Sequence, residues 1–268
     1  MSNKLKAILT TVLCCSLFTG LLSIAAFLKF MLPPQYERYA YGAIGICVAF
    51  IITSMFLKIC KKTFASVGLK WQSKTPFNFV KGLIIGLLIS CLMLFIIMEI
   101  NGLKLQRISD ADIPLFFAWA MSLLMLSFME EVAFRSYAFI NLKNTTGIWT
   151  AQITIAILFA LYHVAGGQSV MSSFLGPGIW AFIFGWAVLE SGGIAMATGI
   201  HFAANIVQAA IGQKKQYDAI WQIDMPAPIT TSLQNKIDTT GLLIQLALLL
   251  AGIVLTYSLA KRKLNATG

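Results

Sequence analysis

Runs of about twenty apolar residues recur along this chain, and the connections between most of them are too short to hold a soluble domain. A helix of that length crosses the hydrocarbon core of a bilayer, where only helices and closed barrels satisfy their own backbone. The pattern predicts eight spans, over 7–32, 40–58, 79–100, 114–140, 148–165, 174–190, 192–212 and 240–260, with Gly176-Pro177-Gly178 interrupting the sixth. Hydrophobic residues fill 58% of the 268 positions and charged residues 11%, which excludes a soluble enzyme and fits an all-α polytopic membrane protein. The chain reads as one integral membrane domain over 1–268. Its first span follows Lys4 and Lys6, carries Lys29 near its far end and stops at Pro33-Pro34. It is too long for a signal-peptide core and lacks a small-x-small cleavage site, so it reads as an uncleaved anchor.

A net charge of +10 raises the question of nucleic acid, but the charge distribution answers it. Lys58, Lys61, Lys62, Lys70, Lys74 and Lys81 crowd one connection, and Lys261, Arg262 and Lys263 follow the last span. With eight spans and both termini cytoplasmic, twelve Lys and Arg fall on the inner side and seven on the outer, Arg135 set aside. That bias is the positive-inside pattern and makes anionic lipid the expected partner, with no nucleic acid. The five cysteines lie in or at the ends of spans, are odd in number and show no metal-like spacing. The longest polar stretch, Gln213 to Thr239, reads as an extracytoplasmic loop with Trp221 at the interface.

Within the fourth span stands Ser127-Phe-Met-Glu130-Glu131-Val-Ala-Phe-Arg135, two acids and a guanidinium in an apolar helix. Each such charge at the bilayer centre costs about 2.5–3.5 kcal/mol on insertion scales. Residues four apart share a helix face, so Glu131 pairs with Arg135, while Glu130 points about 100° away and is left for chemistry. The only two histidines of the chain, His163 and His201, also fall inside spans. Phe159 precedes His163 by one turn, and Asn205 follows His201 by one turn, with Gln208 continuing that stripe. The fourth and fifth spans are joined by a short turn over 141–147, which places Glu130 and His163 each about 25 Å from it and level with one another. One acid, two imidazoles and a carboxamide from spans four, five and seven thus converge at a common depth. Ser127, Gln152 and Tyr162 are further candidates to line the same cavity.

A carboxylate beside an imidazole holds and deprotonates a water, and general-base assistance of this kind contributes about 10²–10⁴-fold. A second imidazole and a carboxamide on one helix face can donate to the oxyanion of a tetrahedral intermediate. Together they make amide hydrolysis chemically reasonable. A serine or cysteine nucleophile is not indicated, because no Gly-x-Ser-x-Gly elbow is present. Zinc held by Glu130, His163 and His201 is the competing arrangement. The His-Glu-x-x-His helix of zincins is absent and Asn is a poor zinc ligand, so the residues favour water activated by Glu130 and His163 with no cofactor.

Glu130-Glu131-x-x-x-Arg135, Phe159-x-x-x-His163 and His201-x-x-x-Asn205 resemble the three motifs of the CPBP intramembrane endopeptidases. That family includes type II CAAX prenyl endopeptidases and bacterial Abi or bacteriocin-immunity proteins. The likeness extends through Phe184-Gly185 and Ser191-Gly192-Gly193 and covers about residues 115–212, spans four, five and seven forming the core. The resemblance implies that Glu130 is the general base, that His163 helps hold the water, and that His201 and Asn205 form the oxyanion site. Glu131 and Arg135 would support that geometry. A bacterial cell-membrane endopeptidase is expected, acting on a peptide or membrane-associated protein. Peptide maturation or bacteriocin self-immunity is favoured over processing of prenylated CAAX proteins. Two rivals are a non-catalytic binding protein that keeps the motifs for structure, and a proton-coupled transporter using Glu130 and His163 as a relay. No internal repeat supports the transporter.

Overall fold

Ser2 and Asp112 each stand before an apolar run, and each side chain accepts a hydrogen bond from the backbone N–H three residues on, at 3.3 Å from Leu5 and 2.8 Å from Leu115. Such caps satisfy donors that a helix start otherwise leaves unpaired. The computed structural model describes residues 2–33, 36–214, 218–226 and 228–265. Pro34 lies outside the described residues, as does the side chain of Lys263. Helices run over α1 (Asn3–Ala25), α2 (Glu37–Ile59), α3 (Thr75–Asn101), α4 (Ile113–Ala133), α5 (Phe139–Thr146), α6 (Ile148–Ala165), α7 (Val170–Ser173), α8 (Ile179–Ser191), α9 (Ala195–Ala210) and α10 (Thr231–Asn265). Single π-helical turns, Phe134–Ala138 and Phe174–Gly178, join α4 to α5 and α7 to α8. Two short strands, β1 (Lys104–Arg107) and β2 (Trp221–Asp224), pair antiparallel with Lys104 opposite Asp224.

Among the described residues, seven helical segments are long and apolar enough to cross a membrane. The eighth expected span, 192–212, is α9, whose 16 residues reach only about 24 Å. Most of its first ten residues are buried, because the rest of the bundle surrounds it. Three boundaries differ from the sequence pattern. The expected 141–147 turn is helical as far as Thr146, leaving Gly147 alone (φ 98°) to reverse the chain. The Gly-Pro-Gly interruption is absorbed by a π turn, and one helical path continues from Val170 to Ser191. The Gln213–Thr239 loop is shorter than expected, since α10 already begins at Thr231 and Trp221 belongs to a strand. Four-residue strands are too brief to show a period of two, which is why the pattern missed them.

Close helix approach comes from small residues, as is general in membranes. A Cβ on Gly86 of α3 would lie 2.6 Å from the Ile200 carbonyl oxygen of α9. One on Gly82 would meet the Met196 carbonyl, and one on Gly199 the Phe79 carbonyl. The backbones of α3 and α9 therefore touch, and α9 is held tightly by a helix whose other faces are exposed at Ile84, Leu88, Leu92 and Phe95. The α2–α4 contact is built likewise, with Gly42 and Gly45 receiving Met125 and Met129. At one end of the bundle the lysine-rich 60–74 connection meets the α8–α9 turn through Gly68 and Gly193, and Lys62 donates to Asn141 Oδ1 at 2.7 Å. The two-stranded sheet caps the opposite end.

Candidate active site

The last turn of α4 does not continue smoothly. Ser136 leaves helical geometry (φ −84°, ψ −107°), and its hydroxyl donates back to the Val132 carbonyl. Extra residues of this kind re-aim neighbouring side chains and are frequent at functional sites. On either side of the π turn, Glu131 and Arg135 are fully buried, with Arg135 Nε 3.4 Å from Glu131 Oε2. The Arg135 guanidinium carbon lies 4.0 Å above the Phe159 ring and 5.1 Å from that of Phe184. A desolvated cation over aromatic faces gains about 2 kcal/mol, which helps to offset its burial.

The other oxygen of Glu131 receives His201 Nδ1 at 2.9 Å. An ionised carboxylate only accepts, so Nδ1 carries the proton, and Nε2 is turned towards Glu130 Oε2 at 3.5 Å. Phe184 stacks on the His201 ring, with centroids 4.6 Å apart and planes within 17°, and fixes its tilt. Adjacent acids thus bracket one imidazole: Glu131 sets its orientation, and Glu130 faces its other nitrogen. The Tyr162 hydroxyl donates to Glu130 Oε1 at 3.3 Å. One turn along α9, Asn205 Nδ2 donates to Ser127 Oγ at 3.0 Å.

His163 occupies the last turn of α6. Its Nδ1 donates to the Phe159 carbonyl at 2.9 Å, and its ring stands edge-on to Phe159 at 4.6 Å. It lies within electrostatic reach of Glu130 and His201. No direct hydrogen bond joins it to Glu130 among the described residues, and the nearer imidazole to that acid is His201. The reason is packing: α4 lies directly against α9, whereas Tyr162 supplies the α6 contact to Glu130. The structure thus brings together Glu130, Glu131, Arg135, His201, Phe159 and Tyr162, with Asn205 and Ser127 beside them. Gln152 is not among them, since its Nε2 donates to Thr256 Oγ1 and the Phe182 carbonyl.

Two residues near the site had no assigned role in the sequence. Phe184 falls in the Phe184-Gly185 stretch of the family likeness, but its stacking on His201 has no sequence signal. Lys214 sits in a polar loop after α9, yet it is half-buried and feels Glu130. Burial pulls its ammonium below the usual lysine range, and the Glu130 charge partly opposes this. Among the described residues, no three His, Cys, Asp or Glu side chains group as a metal-holding set.

Residues 112–207 match the family model described as type II CAAX prenyl endopeptidase, Rce1-like. This is the CPBP/CAAX protease family that the three motifs resemble, and the matched segment contains every residue of the constellation above except Lys214. At family level it supports a CAAX-type intramembrane endopeptidase. No curated protein matches the chain.

Proposed function

We propose that the chain hydrolyses a peptide bond of a peptide or membrane-associated protein, with Glu130 as general base. The observation that carries this reading is one imidazole bracketed by two adjacent acids, inside a membrane span and within the matched segment. In the reaction, the Glu130 carboxylate takes a proton from water while the water oxygen bonds to the scissile carbonyl carbon. His163, whose Nδ1 is committed to a backbone carbonyl, helps hold that water through Nε2. The oxyanion that forms receives hydrogen bonds from Asn205 Nδ2, which has a second N–H beyond the one given to Ser127, and from protonated His201 Nε2. Glu131 holds that ring through Nδ1, and Arg135 stands against the other oxygen of Glu131. The proton held by Glu130 then passes to the amide nitrogen as the C–N bond breaks.

The two histidines are oriented separately, His163 by a backbone carbonyl and His201 by Glu131, and the reading proposed is water activation by side chains rather than through zinc. The native substrate is proposed to be a maturing peptide or a bacteriocin-related target in a bacterial cell membrane, with CAAX-type processing the wider class. Twelve basic residues against seven support a cytoplasmic lysine-rich end bearing both termini.

Glu130→Gln keeps the shape of the side chain and removes the base. Comparative peptidomics of membranes carrying either form should show substrate accumulating with the variant, at a turnover lower by about 10²–10⁴-fold. Unchanged biological activity in the variant would overturn the protease reading and leave a binding protein. Insensitivity to strong zinc chelators is the expected companion result, and restoration of a chelated enzyme by zinc would overturn the metal-free step.

A further inference from the structure

On the lysine-rich side of the reacting groups lies a cavity of about 650 Å³, lined by α2, α3, α4 and the α8–α9 turn. Ligand pockets usually measure about 300–1,000 Å³. Its deep walls are Phe50, Phe79, Leu124 and Phe128, and its rim carries Lys70 and Trp71. None of the residues described above as acting on the peptide bond lines it.

We propose that this cavity binds one acyl chain of an anionic glycerophospholipid, with the phosphate held at Lys70. Three features of the structure lead there. The hydroxyls of the lining are already engaged: Thr198 donates to the Ile194 carbonyl at 3.0 Å, Ser191 donates to Ala187 and Gly193 carbonyls at 2.7 and 2.9 Å, and Thr75 accepts from Gln72 N–H at 2.9 Å. A polar ligand would find few partners inside, and an apolar chain needs none.

The mouth is strongly basic. Residues 58 to 81 hold six lysines and no acid, Lys62 is committed to Asn141, and the nearby Glu190 is paired with Arg262 at 3.2 Å. Lys70 on the rim and the exposed Lys74 therefore face an anionic headgroup with no competing carboxylate on their own connection. Trp71, 76% exposed beside Lys70, is the kind of side chain that settles at headgroup level. Such complementarity favours an anionic lipid over a zwitterionic one.

The walls also carry the site. Phe128 precedes Glu131 by one turn on α4, and Thr198 precedes His201 by one turn on α9. A chain lodged here supports the backs of the two helices that hold the Glu131–His201 pair, so the lipid is a positioning ligand as well as a guest.

The test needs no assumption about proteolysis. The full chain is reconstituted in phosphatidylcholine vesicles containing photoreactive phosphatidylglycerol or photoreactive phosphatidylcholine, each with a diazirine on one acyl chain, and labelled peptides are mapped. Labelling at Leu124–Phe128 and Phe79 is expected, stronger with the glycerol lipid. Lys70→Gln, an exposed change that leaves the fold intact, should lower that preference by about fivefold. Leu124→Trp should reduce capture of both probes by filling the cavity. Equal labelling by the two lipids overturns the headgroup assignment. Labelling confined to outward α3 positions such as Leu88 and Phe95 overturns the cavity assignment. Preferential capture of an added free fatty acid or prenyl-chain probe at Phe79 and Leu124 overturns the phospholipid in favour of a single-chain ligand.

Discussion

Replacing Arg135 by Met keeps most of the side-chain volume and removes the guanidinium beside Glu131. Both groups are fully buried, the pair is 3.4 Å apart, and the Phe159, Phe184 and Phe134 rings stand around the guanidinium. Deleting one member of a buried pair leaves the other charge uncompensated and costs about 3–5 kcal/mol, far more than the intact pair gains over an apolar substitute. Arg135→Met is therefore expected to lose that amount, and Glu131→Gln about the same less the cation–π share of about 2 kcal/mol that Arg135 keeps. With both changes together no charge is stranded. The double variant should be more stable than the sum of the two losses predicts, with a coupling of at least about 2 kcal/mol. Reversible unfolding by denaturing detergent in bicelles, followed by tryptophan fluorescence, measures all four corners of the cycle. A loss below about 1 kcal/mol for Arg135→Met, or simple additivity, would refute the idea that the pair is a desolvated unit. Partial rescue is expected for stability only, because the double variant still lacks the Glu131 carboxylate that orients His201.

Tyr162→Phe removes the hydroxyl donated to Glu130 at 3.3 Å and should lower peptide turnover by less than Glu130→Gln does, with unchanged unfolding; a loss as deep as that of Glu130→Gln would make Tyr162 a principal participant. Gly86→Leu forces α3 away from the Ile200 carbonyl, so both unfolding stability and turnover should fall, by about 2 kcal/mol or more in stability; a neutral result would refute the close packing of α3 on α9. Lys214 has a folded pKa below its ordinary 10.5 because it is half-buried. Between those two values the unfolded chain binds more protons than the folded one, so stability should rise with pH through that window, and Lys214→Gln should flatten the rise in a detergent-unfolding series.

Which parts of the site were legible follows from what is rare in a membrane helix. Glu130, Glu131, Arg135, His201 and Asn205 stand out because a polar group in a span needs a partner, and helical spacing alone joins Glu131 to Arg135. Phe184 supports His201 just as directly; the family likeness includes Phe184-Gly185, but its stacking role emerges only once α8 and α9 are packed. The π turn was hidden for a similar reason. Its residues are ordinary helix formers, and the departure at Ser136 arises where the chain must bend, not from a Pro or Gly in the turn. Counting residues along straight helices put Glu130 and His163 level, and depth alone could not say which imidazole lies closer. That depends on which helix touches α4. The structure packs α9 on α4, so His201 rather than His163 lies between the two acids, and Gly86 and Gly199 let α3 back α9 closely from its other side. A small-residue stripe ending 26 residues upstream of the matched segment thereby backs the helix that carries His201, and Gly86→Leu tests its part in the acid–imidazole geometry without touching a charged group.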